Sequence, residues 1–384
     1  MWVPFNEGWG QFDSPRISSW IKELDPSRLV NHASGWTDRG VSDVKDIHSY
    51  PDPKATEPEP SRAAVLGEFG GLGFNVPEHT WESEGWGYDL LPDFDELVRR
   101  YESLYIKLLP MIESPGLSAA VYTQISDIET ENNGLMTYDR KVTKIKPAYM
   151  RMAHEGYLPP QTTGQTSIFL KETAVELKCM REGARILYTV DGTEPGVGAM
   201  AYESPITLTE TTTLKAKAFW ETGDSSRTST FVFTRTEPHS SVALEGSPGL
   251  MVQSFRGEWS NLPDFSRLSP DSTSTAETIG LEPAPAESGF ALHFSGYIRI
   301  PETGIYIFTC ASDDGSRLFI GDQLVLDNDG VHGIREKSGA IALEAGFHPL
   351  NIQYFQGRGG RGLNVFMKGP DMTGAEIPAD MLFH

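Results

Sequence analysis

Cysteine is nearly absent from this 384-residue chain: Cys179 and Cys310 are its two examples. Two thiols cannot build a disulfide framework or a four-cysteine zinc site. Basic residues are also short. Lys and Arg number 32 against 53 Asp and Glu, a net charge of −21. Such an acid excess repels phosphate backbones and argues against a nucleic-acid partner. No run of about 18 apolar residues occurs, so no membrane-spanning helix is expected. A charged segment followed by an apolar one is missing at the start, so no signal peptide is visible. Met1-Trp2-Val3-Pro4-Phe5 opens instead as a buried strand would, which leads us to expect a fragment of a longer protein.

The length, at roughly 100–200 residues per domain, predicts two or three domains. Within residues 1–158, short apolar runs at 2–6, 29–32, 44–48, 64–67 and 117–123 read as strands. Helical patterns lie between them. Ser14-Pro15 looks like an N-cap followed by a first-turn proline for a helix to Leu24. Leu97, Tyr101, Leu104, Tyr105, Leu108 and Ile112 recur with a helical period. Strands alternating with helices predict parallel βα units. Leu158-Pro159-Pro160 and a small polar stretch then break the pattern. Residues 166–236 and 249–384, separated by the polar segment 237–247, read as two all-β domains with turns rich in Gly, Asp and Asn.

Two glutamates sit just past strand runs: Glu7 in Asn6-Glu7-Gly8-Trp9-Gly10, and Glu68 in Gly67-Glu68-Phe69-Gly70-Gly71. In a (β/α) barrel the C-terminal strand ends build the active site. Two carboxylates there suit glycoside hydrolysis, one as acid/base and the other as nucleophile or base. Trp9, Trp36, Trp81 and Trp86 offer flat apolar faces for sugar rings. Such catalysis needs no cofactor.

These residues carry a resemblance. Asn6-Glu7 after an apolar strand, Gly67-Glu68-Phe69-Gly70-Gly71, and Tyr122-Thr123-Gln124 running on to Asn133-Gly134-Leu135-Met136 are similar to motifs of glycoside hydrolase family 2, its β-galactosidase-like members above all. The resemblance covers about residues 1–158. It implies the last five βα units of a (β/α)8 TIM barrel, and a retaining β-glycosidase acting on oligosaccharide or polysaccharide ends. Glu7 would be the acid/base after the fourth barrel strand, and Glu68 the nucleophile after the seventh. Asn6 would bond the sugar 2-hydroxyl. Tyr50 would orient the nucleophile, and Trp36 and His48 would line the sugar pocket. Negative charge near Glu7 should raise its pKa. The first three strands would belong to a missing N-terminal half. Thr123-Gln124 stands where many relatives have a tryptophan. Relatives specific for uronic acids use Asn-x-Lys, and no such triplet occurs here. A β-galactosidase is therefore expected first.

Residues 166–236 resemble the sandwich at the C-terminus of chitobiase-like enzymes, through Tyr188-Thr189-Val190-Asp191-Gly192 and Tyr202-Glu203-Ser204-Pro205. That domain reads as a spacer. Residues 249–384 resemble the protective-antigen-type β-sandwich, through Ser312-Asp313-Asp314-Gly315-Ser316-Arg317 and Gly346-Phe347-His348-Pro349. In lectin members an Asp pair binds calcium, so the resemblance implies Ca2+ at Asp313 and Asp314. It also leaves an alternative, an inactive barrel fragment that binds carbohydrate through its C-terminal module. By analogy with modular glycan-degrading enzymes, an extracytoplasmic location is expected.

Overall fold

The computed structural model describes residues 1–164, 166–196 and 198–384. Its N-terminal part is built on parallel backbone pairing. Trp2 bridges Val30 in parallel, and Asp43 N–H bonds Val30 O at 3.1 Å. The strands Val44–Ser49, Ala63–Gly70 and Ala119–Thr123 continue the series as a three-stranded parallel sheet in chain order. The first two expected strands are thus reduced to the single bridge between Trp2 and Val30. Asn6 begins a 3-10 turn, Asn6–Gly8, rather than ending a strand.

Helices alternate with strands less regularly than the pattern predicts. Ser14–Leu24 and Phe94–Leu108 fill two crossovers, and Pro147–His154 follows the last strand. Residues 31–43 and 50–62 cross without a helix. Pro51, Pro53, Pro58 and Pro60 explain the second case, since each removes a backbone donor and biases the preceding residue away from helix. The expected N-cap is also displaced. Ser14 is already helical and Asp13 precedes it in a left-handed conformation, while the Ser14 hydroxyl lies 2.6 Å from Gln11 Oε1. The long helix is capped by Asp93, whose side chain accepts from Glu96 N–H, and it ends before Pro110. Its apolar face, Leu97, Tyr101, Leu104 and Leu108, packs on Leu66 and Phe69 of the central strand.

Within residues 168–235 a five-stranded sheet, antiparallel except for the parallel pairing of Ile168–Phe169 with Thr234–Arg235, packs with the two-stranded pair Thr173–Val175 and Ile206–Leu208, and Thr212–Phe219 alternates buried and half-buried residues along its length. Phe233, Leu214, Ala216 and Val175 fill its core. Tyr157 of the N-terminal part meets Trp220 edge to face at 4.9 Å, and Arg227 pairs with Asp95 at 2.5 Å, so the two parts share a packed contact. Beyond residue 249 a seven-stranded and a four-stranded sheet enclose Phe290, Phe294, Tyr306, Phe308 and Ile352, all fully buried. No helix among the described residues is long and apolar enough to cross a membrane.

Candidate active site

The strand Ala63–Gly70 runs beside Val44–Ser49 in register until Ile47–Leu66; Gly67 is then skipped and His48 pairs with Glu68. The extra residue is a β-bulge, a device that re-aims side chains at a sheet edge. Asp46 fixes it. Its carboxylate accepts the Gly67 N–H at 2.6 Å and the Asn31 amide at 2.5 Å, and burial raises its pKa.

The bulge brings Glu68 to His48, and the turn at residues 6–8 brings Glu7 there from the other side. His48 Nδ1 lies 3.1 Å from Glu7 Oε1 and 3.4 Å from Glu68 Oε2. One oxygen of each glutamate and the imidazole nitrogen all fall within 4.8 Å of one another. Retaining glycosidases hold their carboxyl groups about 5–5.5 Å apart, and inverting ones about 6.5–9.5 Å. The His48 side chain is fully buried, and its Nε2 lies 3.0 Å from Ser34 Oγ. It is therefore closed off from solvent and meets the site through the two carboxylates. Gly35 makes room for it: at φ +90° a Cβ there would meet the imidazole at 2.3 Å.

Tyr50 hydrogen-bonds Glu68 through its phenol, which also lies 2.9 Å from Thr123 Oγ1. Burial and the Glu68 bond push the phenol pKa well above its ordinary value, so it stays a neutral donor. Glu7 behaves differently from expectation. Burial pushes its pKa up, but the His48 bond and the neighbouring Trp36 and Trp9 indoles outweigh it and hold the carboxyl below its ordinary value. Burial, not a negative neighbour, is what raises it, and the His48 bond and charge are among the causes that lower it. Trp36 thus lies near enough to lower the Glu7 pKa, and it is a half-exposed aromatic face. Asn6 is exposed beside Glu7.

One aromatic group went unnoticed in the sequence. Tyr88 stacks on Tyr50 with ring centroids 3.8 Å apart and planes 4° apart. Nothing in the spacing of residues 79–90 signals this, because a long connection carries Tyr88 back to the strand end. Gly-rich composition on both sides, at 70–73 and 85–87, was the available hint.

Asp313 and Asp314 lie in a different sheet system and do not join this cluster. Both are buried, and neither is in an ion pair among the described residues. Asp314 accepts the N–H groups of His332 and Gly357 at 2.9 and 2.7 Å. Burial and then Asp314 raise the Asp313 pKa. A buried carboxylate pair with no counter-cation has the charge and oxygen donors that a hard divalent ion seeks. Asp191 and Glu194 are accounted for by local structure: Asp191 accepts the Thr193 N–H in a turn, and Glu194 pairs with Lys215 at 2.6 Å.

Comparison with known proteins addresses residues 165–380 by domain. The PA14 domain model matches residues 246–380, and the chitobiase/β-hexosaminidase C-terminal domain model matches residues 165–230. The chain carries both modules, and both lie C-terminal to the Glu7–Glu68 cluster. A β-hexosaminidase of Porphyromonas gingivalis is 24% identical over 176 residues, 43% of this chain and 22% of that protein. The chain thus spans less than a quarter of that relative's length. Among solved structures, the PA14 domain of an antifreeze protein is 16% identical, over 38% of this chain and 96% of that one, with a TM-score of 0.32. The PA14 sugar-binding domain of an RTX adhesin is 17% identical over 36% and 98%, also with a TM-score of 0.32.

Proposed function

We propose that the chain is a glycoside hydrolase unit with an appended carbohydrate-binding module, and that Glu7 and Glu68 form a retaining pair. The observation that carries this reading is the approach of their carboxylate oxygens to within 4.8 Å, Glu7 from the turn at residues 6–8 and Glu68 from the bulged strand Ala63–Gly70. Glu68 would attack the anomeric carbon while Glu7 protonates the leaving oxygen. Water, activated by Glu7, would then hydrolyse the glycosyl ester on Glu68. Tyr50 would orient Glu68 through its phenol, and His48 would hold both carboxylates in place. We further propose that the parallel series from Trp2 to Thr123 is the last five strands of a family 2 (β/α)8 barrel, closed by strands of a preceding segment. The resemblance of the motifs supports this.

The sugar is a narrower question. The family 2 motifs favour a β-galactoside, while the Porphyromonas relative is a β-hexosaminidase. Hydrolysis of a panel of nitrophenyl β-glycosides decides between them. Loss of turnover in Glu68→Gln, with the best sugar naming the activity, is the expected result. Near-normal turnover in that variant would remove Glu68 as nucleophile.

The second reading is a carbohydrate-binding protein with an inert barrel, and the PA14 module favours it. Here Asp313 and Asp314 would hold calcium, which would neutralise the pair and offer coordination sites to sugar hydroxyls. Calcium should then raise the melting temperature of the wild type and leave that of Asp313→Asn unmoved. An unchanged wild type would remove the metal. An extracytoplasmic location is proposed with either reading.

A further inference from the structure

Thr123 and Gln124, at the end of the last parallel strand, are both polar and both hydrogen-bonded. Thr123 faces the Tyr50 phenol, and the Gln124 amide bonds Asn133 Oδ1 at 3.0 Å. Asn133 in turn bonds Glu131 Oε1 at 2.9 Å. A pyranose ring needs an apolar surface as well, because one of its faces is lined with C–H groups. The connection from Phe74 to Leu90 provides one. Tyr88 N–H bonds Gly71 O at 2.9 Å, which pins the residue three positions beyond Glu68. Gly71, at φ +62°, permits this approach: a Cβ there would lie 2.4 Å from the Tyr88 ring. Tyr88 lies flat on Tyr50, the ring that bonds Glu68, and remains 48% exposed. Trp86 stands edge-on to it at 5.6 Å and is 45% exposed.

Building on the glycosidase reading, we propose that Tyr88, flanked by Trp86, is the aromatic wall against which the reacting sugar packs, and that the site takes uncharged β-pyranosides. The Tyr50–Tyr88 stack leaves a second aromatic face free, one ring thickness from the residue that orients the nucleophile. The carboxylates of Glu7, Glu68 and Glu131 act on the Tyr88 phenol. Lys144, the buried amine of the neighbouring loop, is taken by Asp127 at 2.7 Å. A sugar carboxylate would meet repulsion there, and a neutral ring would not.

The test uses the full chain and nitrophenyl β-galactoside, β-glucoside, N-acetyl-β-glucosaminide and β-glucuronide. Tyr88→Ala should raise KM for the neutral sugar at least tenfold, Tyr88→Phe should restore it, and Trp86→Ala should raise it less. A KM like the wild type's in Tyr88→Ala overturns the wall. So does a fall in kcat alone, which would mean that Tyr88 merely props Tyr50. Preference for the glucuronide overturns the neutral-ring assignment. Should no glycoside be hydrolysed, saturation-transfer NMR with the methyl β-glycosides reads the wall directly. Saturation of the ring protons that Tyr88→Ala abolishes supports the wall while the hydrolase reading falls. No saturation in the wild type removes both.

Discussion

Gly67 and Asp46 occupy each other's space. A Cβ on Gly67 would fall 2.2 Å from Asp46 Oδ2, and that carboxylate is held in place by the Gly67 N–H itself and by Asn31. The β-bulge that turns Glu68 toward His48 therefore requires glycine.

Gly67→Ala should force the buried Asp46 carboxylate aside and undo the bulge. Overpacking of this kind costs about 1–3 kcal/mol. The expected outcome is a lower denaturation midpoint together with a loss of any hydrolysis that depends on Glu68. A stable variant with unchanged turnover would show that the bulge does not aim the carboxylate.

Trp36 gives a prediction with a sign. Its indole is the first of the groups that lower the Glu7 pKa, and it acts against burial. Trp36→Phe keeps an aromatic face and removes the N–H. A carboxylate that loses a donor to its charged form titrates higher. Glu7 must be protonated to act as an acid, so the alkaline limb of the kcat/KM profile should move to higher pH. A limb that stays in place would assign it to another group.

The site and the frame around it were legible to different degrees. Asn6-Glu7 and Gly67-Glu68 could be found because a carboxylate after an apolar run marks a strand end, and both do converge. The two C-terminal sandwiches could be read from strict alternation, as in Thr212–Phe219. The role of His48 could not. A histidine on a strand looks the same whether it faces a ligand or, as here, sits wholly buried between two glutamates. Tyr88 was hidden for a related reason. Its contact with Tyr50 spans 38 residues and depends on a connection without periodic pattern. The lowered pKa of Glu7 depends on Trp36 and His48 closing in from other segments, which no local spacing encodes.

Glu102 carries a test of the contact between the first two parts of the chain. It lies on the helix Phe94–Leu108, 92% of its surface removed from water, with Arg227 Nε of the following domain 3.6 Å away. Burial raises its pKa from 4.5 to about 7, and the Arg227 charge offsets only part of that. Below pH 4.5 the carboxyl is neutral in folded and unfolded chains alike, and no penalty arises. As the pH rises further, the unfolded chain releases its proton while the folded chain keeps it. Stability therefore falls, and the fall is complete above about pH 7, amounting to roughly 3 kcal/mol at most. Glu102→Gln is neutral throughout. It should leave the melting temperature at pH 4.5 nearly unchanged, raise it by several degrees at pH 8, and flatten the decline between them. If the variant instead melts lower at pH 8, the Glu102–Arg227 ion pair outweighs the burial of the carboxylate, and charge rather than packing holds the two parts together there.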